Sequence, residues 1–441
     1  MKSEVAEFIE RHKLLSHDGL HLVAVSGGAD SVALLLVLKL LGYHVEAAHC
    51  NFHLRDKESD RDEAFVKSLC VRENIPFHLI HFDTKEYADL HKVSLEMAAR
   101  DLRYRYFEQL RQDIGAETIC VAHHRDDANE TLLMNLMRGA GIHGLTGIRP
   151  RNGNVVRPLL GVSRQEVLAW LESRGQSYVT DSTNLSTDVL RNKIRLQLLP
   201  LMEQIQSGTA ENLARSSYYL SEAEKVYDAE IAHETAEMPS EDHRLTIRKS
   251  MVCAAPSPLC LLYELLTPYG FNRSQISDVL THLNSTSGRE FVSPTHTLII
   301  DRETLIVASA RPPMKPLVIP EPGNYRLDGS AVFHIRLLEG GDDSVSKDPA
   351  VATLDAADIK FPLTIREVQT GDSFQPFGMK GRKLVSDFLT DRKLNLLEKR
   401  HQKVVVDASG AVLWLVGLRT DHRYCVTSST TRVLLISCSS F

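Results

Sequence analysis

The chain has 441 residues, 43% hydrophobic and 24% charged, an ordinary globular balance that excludes wholesale disorder. Its 51 Lys and Arg against 57 Asp and Glu leave a formal charge of −6, which as a whole-chain sum argues against a nucleic-acid partner. The seven cysteines (Cys50, Cys70, Cys120, Cys253, Cys260, Cys425 and Cys438) are odd in number and contain no Cys-x-x-Cys. A disulfide framework, a zinc ribbon and a thiolate-held iron–sulfur cluster are therefore poorly supported, and a reducing cytosol fits best.

The first apolar run, residues 32–38, is far short of the roughly 20 residues that span a bilayer. Residues 1–12 are charged and helical in pattern rather than a signal peptide, so a cytoplasmic protein with no membrane partner is expected. The spacing then predicts a strand over 21–25, a buried helix over 32–41, a strand over 44–49 and an amphipathic helix over 60–73. A strand at 77–82, a long Arg- and Tyr-rich helix at 95–113, a strand at 118–122 and a helix at 127–138 follow. This alternation predicts an α/β fold with a parallel sheet covered on both faces and ligands at the strands' carboxyl ends. Beyond residue 200 the pattern changes to a long amphipathic helix over 208–237 and further helices to about residue 283. Five prolines within 311–322 read as a stiff connector. The remainder is β-rich, with strands expected at 363–368, 403–407, 412–416 and 433–437 and one helix at 384–391.

Ser26-Gly27-Gly28-Ala29-Asp30-Ser31 follows the first strand and opens a helix. The glycines permit a tight turn, and the free N–H groups of the helix start then face an anion. Asp30 fits such a nest if it holds a magnesium ion against a nucleotide or orients a water or hydroxyl. The bland reading is a glycine turn with Asp30 or Ser31 as N-cap. No Gly-Lys-Ser/Thr ending is present, which favours cleavage between the α- and β-phosphates. The loop resembles the PP-loop of the ATP pyrophosphatases.

Three further constellations select among those enzymes. His49-Cys50-Asn51-Phe52-His53-Leu54-Arg55 resembles the pattern of the tRNA(Ile)-lysidine synthetases, with Phe52 where many members carry His. His49 and His53, at i and i+4, are a weak metal pair, and Arg55 suits a phosphate or tRNA contact better. Arg100, Arg103 and Tyr104 share a helix face; the resemblance implies ATP contact, with Arg100 foremost. His123-His124-Arg125-Asp126-Asp127-Ala128-Asn129-Glu130-Thr131 enters a helix at a strand end. There Asp127 and Glu130 share one face and suit a substrate ammonium, with His123 near the adenylate as an acid/base group. The stretches holding Asn184, Arg191 and Arg195 continue the match, and the resemblance implies that they line the site for cytosine and lysine. Gly371 to Lys393, including Lys383, resembles the family's C-terminal tRNA-binding domain.

The resemblance thus implies a Rossmann-like PP-loop catalytic domain over 1–205, a helical tRNA-binding middle domain over 206–310, a linker and strand segment over 311–350, and a small mixed β/α tRNA-binding domain over 351–441. It implies ATP and Mg2+ as cofactors, with ATP held by residues 26–31 and Arg100 and the metal by Asp30. The expected substrates are free L-lysine and the wobble cytidine of an isoleucine tRNA with anticodon CAU. A thiolation-type PP-loop enzyme is the alternative, and the unpaired Cys120 weighs against it. The oligomeric state, a homodimer among the options, is not set by the sequence. Divided by segment, the charge argument also changes. Residues 134–165 hold five arginines and no acid, and residues 380–403 hold eight Lys and Arg against three acids. Such stretches suit a docked polyanion.

Overall fold

The computed structural model describes every residue except 55–56, 181–189, 237–239, 242–243, 286–287, 311–313, 328–330, 341–344 and 441. The chain divides into two compact units, Met1–Ala229 and Glu230–Phe441.

The first unit is built on strands β1 (Leu20–Ala24), β2 (His44–Asn51), β3 (Phe77–His81), β4 (Thr118–Cys120), β5 (Arg151–Asn152) and β6 (Val155–Val156). They form one sheet in the order β3-β2-β1-β4-β6-β5, parallel except for the β5–β6 pair. The helices are α1 (Lys2–Arg11), α2 (Ala29–Leu40), α3 (Lys57–Glu73), α4 (Thr84–His91), α5 (Leu95–Asp113) and α6 (Arg125–Met137). After these come α7 (Ile142–Leu145), α8 (Arg164–Ser173), α9 (Leu190–Lys193), a π-helical turn (Ile194–Leu198), α10 (Leu199–Ile205) and α11 (Thr209–Thr235). Nearly every residue of α2 is buried, as its all-round apolar sequence demands, and its Val32, Leu35 and Leu38 join Val23 and Val45 in the largest core. Because β1 lies between β2 and β4, successive connections leave it in opposite directions. Their carboxyl ends splay apart there, opening a crevice, the usual ligand position in such sheets.

The second unit begins with β7 (Ser240–Glu241), β8 (Arg244–Arg248), α12 (Lys249–Ala254), α13 (Pro258–Leu266), α14 (Arg273–Thr281), β9 (Arg289–Val292), β10 (His296–Ile300) and β11 (Thr304–Ser309). The stretch read as helical therefore also carries a five-stranded sheet, β7-β8-β11-β10-β9, whose Leu298 and Leu305 pack with Leu262 and Ile276 of the helices. Strands of five or six residues with few polar positions show too little periodicity to be told from helix.

The stretch 311–322, read as a stiff connector, itself contains strand β12 (Leu317–Ile319); β13 (Gly323–Leu327) and β14 (Ala331–Glu339) follow, and then β15 (Val351–Asp355), β16 (Leu363–Glu367), β17 (Ser373–Phe374) and β18 (Lys383–Leu384). Helices α15 (Val385–Asp391) and α16 (Leu396–His401) precede β19 (Lys403–Val406), β20 (Val412–Leu415), β21 (Arg419–Thr420) and β22 (Arg432–Ser440). Two sheets, β12-β16-β19-β20-β21 and β13-β14-β22-β15, share one core containing Phe333, Trp414 and Ile436. Along β19 the alternation of strand side chains sends Val405 into that core, and Val404 and Val406 into a second core with Phe388 of α15.

Candidate active site

The loop after β1 is tied by its own serines. The Ser26 N–H donates to Ser31 Oγ at 3.1 Å, Ser31 Oγ donates to the Gly28 carbonyl at 3.0 Å, and the two hydroxyls lie 3.2 Å apart. Gly27 has φ +93°, a left-handed conformation that an L side chain adopts only under strain. Gly28 is the N-cap of α2 and brings no side-chain acceptor, so neither Asp30 nor Ser31 caps the helix. The first-turn N–H groups are left for an anion, with the helix dipole behind them.

Asp30 stands in that first turn. Its Oδ2 lies 3.8 Å from His124 Nε2 and 3.9 Å from an Arg164 guanidinium nitrogen, while Oδ1 is buried and has no hydrogen-bond partner. Burial pushes its carboxyl above the usual range, against the opposing pull of His124 and Arg164. A buried carboxylate oxygen without a donor is what a cation ligand looks like before the cation arrives, so Asp30 fits the metal role expected of it.

The end of β4 delivers the histidine pair. His124 is the N-cap of α6, where its Nδ1 accepts from the Asp127 N–H at 3.4 Å and its own N–H donates to Asp127 Oδ2 at 3.1 Å. With Nδ1 accepting, the ring's other nitrogen, Nε2, is left to face Asp127 Oδ2 at 3.4 Å. His123 instead lines the cleft, and its Nδ1 is buried without a partner. Burial, helped by the charges of Arg157 and Arg191, lowers its pKa to about 4, so the ring is neutral near pH 7. For Asp127, burial pulls the carboxyl upward, but His124, its backbone N–H and Arg191 outweigh it and hold the group below the usual range.

Glu130 is fully buried, and both of its oxygens are taken by guanidinium groups. Arg191 Nε donates to Oε2 at 2.6 Å, and Arg195 Nε donates to Oε1 at 2.5 Å. Arg195 also reaches Asp127 Oδ1 at 3.2 Å. The expected substrate groups Asp127, Glu130, Arg191 and Arg195 are thus brought together, but Glu130 binds protein cations where an ammonium contact was expected. Asp126 accepts the Arg164 N–H at 2.7 Å, fixing the start of α8 to α6.

Two cavities flank the loop. The larger, of about 450 Å³, lies against Val25, His49, Phe52, Arg100, Tyr104 and His123. The smaller, of about 230 Å³, is bounded by His124, Asp127, Arg164, Tyr178 and Arg195. Ser26, Gly28, Asp30 and Asp62 line both. In the larger cleft, the exposed Arg100 lies with its guanidinium 5.0 Å from the Tyr104 ring, and that of Arg103 lies 5.1 Å from Phe52. His49 and His53 part company. His49 Nδ1–H donates to the Val25 carbonyl at 2.7 Å, whereas His53 pairs with His81 at 2.9 Å. The weak metal pair is therefore not formed. Arg55 and Asn184 lie outside the described residues. Lys383 belongs to the second unit and is paired with Asp391. Sequence reasoning missed Asp62, which sits inside α3 with nothing local to mark it, and counted Arg164 only as bulk positive charge.

An anion-binding loop at the switch point of a parallel sheet, closed by histidine and carboxylate from the neighbouring strand, defines an ATP-using PP-loop enzyme. The PP-loop domain model matches residues 1–202, and the TilS substrate binding domain model matches residues 239–311. The tRNA(Ile)-lysidine synthase of Parabacteroides distasonis is 46% identical over 98% of this chain and 98% of its own, and that of Bacteroides thetaiotaomicron is 42% identical over 99% of each. The chain belongs to the tRNA(Ile)-lysidine synthase family. Among solved structures, the U34-tRNA thiolase NcsA from Methanococcus maripaludis is similar at 19% identity and TM-score 0.42, over 50% of this chain and 77% of that one.

Proposed function

We propose that this chain joins free L-lysine to carbon 2 of the wobble cytidine of an isoleucine tRNA with anticodon CAU, using ATP and releasing AMP and pyrophosphate. The observation that carries the reading is the pair of cavities sharing Ser26, Gly28, Asp30 and Asp62. One loop can then serve a nucleotide on one side and an amine on the other. ATP belongs in the larger cleft, near Arg100, with its phosphates on the loop and first-turn N–H groups. The cytosine O2 attacks the α-phosphorus, the bond to the bridging oxygen breaks, and pyrophosphate leaves. The base must first leave its stack, which costs little in a single-stranded anticodon loop.

Free lysine belongs in the smaller cavity, where Asp127 suits an ammonium group and Arg164 and Arg195 suit a carboxylate. Its neutral ε-amine attacks carbon 2, the carbon–oxygen bond breaks and AMP leaves. The amine proton goes to a base, for which the neutral His123 is the candidate. Glu130 acts at one remove, as the anchor of Arg191 and Arg195. Mg2+ bound at the partnerless Oδ1 of Asp30 would supply charge neutralisation for the departing pyrophosphate. Asn184 and Arg55 are assigned to substrate and Lys383 to tRNA by the family resemblance. A cytoplasmic site of action fits the described residues, none of whose helices is long and apolar enough to cross a membrane. Thiolation is disfavoured because burial pushes the thiols nearest the site, Cys50 and Cys120, up to about 12, out of reach of a reactive thiolate.

Incubation with labelled lysine, ATP and total bacterial tRNA should place label in RNA. Asp30→Asn and Ser31→Ala should each abolish lysine- and tRNA-dependent pyrophosphate release, and retained release in both would sink the assignment. Asp127→Asn should raise the lysine KM by at least about tenfold with a smaller change in the ATP KM. An unchanged lysine dependence would remove Asp127 from that role.

A further inference from the structure

We propose that Arg157, at the carboxyl end of β6, is a positioning residue for the nucleotide: its buried guanidinium, paired with no carboxylate, biases the larger cleft toward phosphate and is offset when the nucleotide arrives. This inference rests on the ATP reading above. It adds to that reading a residue that lines neither cavity.

Sheet topology puts Arg157 beside the cleft. Strands β4 and β6 are parallel neighbours, with Cys120 opposite Val156, so the chain leaves both at the same edge. The Val121 N–H donates to the Val156 carbonyl at 3.0 Å, which carries the pairing one residue further, and residues 121–123 then line the larger cleft. Arg157 itself is 9% exposed. Its backbone N–H donates to the Pro150 carbonyl at 2.9 Å, and one guanidinium N–H donates to the Arg149 carbonyl at 2.8 Å, closing the turn that carries β5 and β6. A neutral donor would serve that carbonyl as well, so the turn does not account for the charge. The Nε is buried and has no hydrogen-bond partner.

Buried charges are ordinarily paired. Arg191 and Arg195 follow that rule on Glu130, and Arg149 follows it on Glu224. Arg157 does not: among the described residues no carboxylate pairs with it, and its neighbours are the Tyr104 phenol and the like charge of Arg100. Burial pulls its pKa down, yet a guanidinium stays protonated near neutral pH. Such a charge costs stability in the free protein and favours any anion that enters the cleft, where the dielectric is low. Tyr104 links it to the nucleotide side, because the same ring lines the cleft and lies 5.0 Å from the Arg100 guanidinium. Burial also keeps Arg157 from a tRNA backbone, which leaves a bound nucleotide as the anion within its influence.

The test is equilibrium binding of ATP with Mg2+, and a thermal melt, on the full chain without tRNA or lysine. Arg157→Gln should weaken ATP binding by about tenfold, the scale of one charge acting across a partly desolvated cleft. Binding of adenosine, which has no phosphate, should be the same in both proteins. The free-protein Tm of Arg157→Gln should be no lower than wild type, since an uncompensated buried charge is gone, and the Tm gain from saturating ATP should shrink. Arg157→Lys, which keeps the charge, should hold ATP affinity within about threefold of wild type. A merely structural arginine gives a different pattern, a lowered free-protein Tm or failure to fold, and either result overturns the proposal. Unchanged ATP affinity in Arg157→Gln, an equal loss for adenosine, or an equal loss in Arg157→Lys overturns it too. Failure of the lysidine reading would appear separately, as no lysine label in RNA with ATP binding intact.

Discussion

At the scale of single residues, charge balance around Glu130 and His123 decides what each can do. Glu130 is fully buried between two arginines, a geometry in which loss of one partner leaves charge uncompensated. Glu130→Gln should lower unfolding stability by about 3–5 kcal/mol in urea titrations. It should also raise the lysine KM more than the ATP KM, because Arg195 would lose its anchor. Equal stability to wild type would show that the cluster is not the support described. His123 gives a pH signature. Its folded pKa, about 4, lies below the ordinary 6.5, so the unfolded chain takes up this proton first as pH falls. Stability linked to His123 is therefore complete above about pH 6.5 and declines toward pH 4. Its facing charges are Asp127, Arg157, Arg191 and His124. His123→Gln should flatten that part of the Tm-against-pH curve, and an unaltered curve would refute the buried neutral histidine. The residue types were legible in the motif, but their partners were not. The i, i+3 spacing of Asp127 and Glu130 indicated a shared face. Only packing of the segment around Arg191 showed that Glu130 was already occupied.

At the scale of elements, helix starts position the site. The loop after β1 leads into α2, His124 caps α6 and Ser163 caps α8, the last with a box in which Glu166 returns to the Ser163 N–H at 2.6 Å. Ser163→Ala should cost about 1 kcal/mol of stability. Because Arg164 is the next residue and lines the smaller cavity, the same change should weaken lysine use, measured as KM, without altering ATP affinity. A fall in ATP affinity instead would place Arg164 in the nucleotide's path. Long helices were read closely: residues 95–113 were expected and α5 spans Leu95–Asp113. Such a segment repeats its apolar period several times. The two-residue strands β5, β6, β7, β17, β18 and β21 could not be read, since their pairing partners, not their own pattern, make them strands. The π-helical turn from Ile194 to Leu198, which carries Arg195 directly after the helix of Arg191, was equally invisible.

At the scale of the whole molecule, the formal charge of −6 hides the distribution that matters. The acid-free stretch 134–165 belongs to the first compact unit and the basic stretch 380–403 to the second. Electrostatic contact by both predicts tRNA affinity that falls steeply with salt, with a slope of about −0.9 per phosphate neutralised. A flat salt response would count against tRNA lying on these stretches.

What the sequence by itself determined was local chemistry: the phosphate-binding loop, the histidine–carboxylate run, the long helices and the family they resemble. These depend on neighbours a few residues apart, whose geometry helix and turn periodicity sets. Only the tertiary structure decided which of those groups are still free for substrate. It buried Glu130 between Arg191 and Arg195, separated His49 from His53, and set Asp62 and Arg164 beside the loop. Burial and long-range pairing arise from chain segments that are distant in sequence, so no local pattern could carry them.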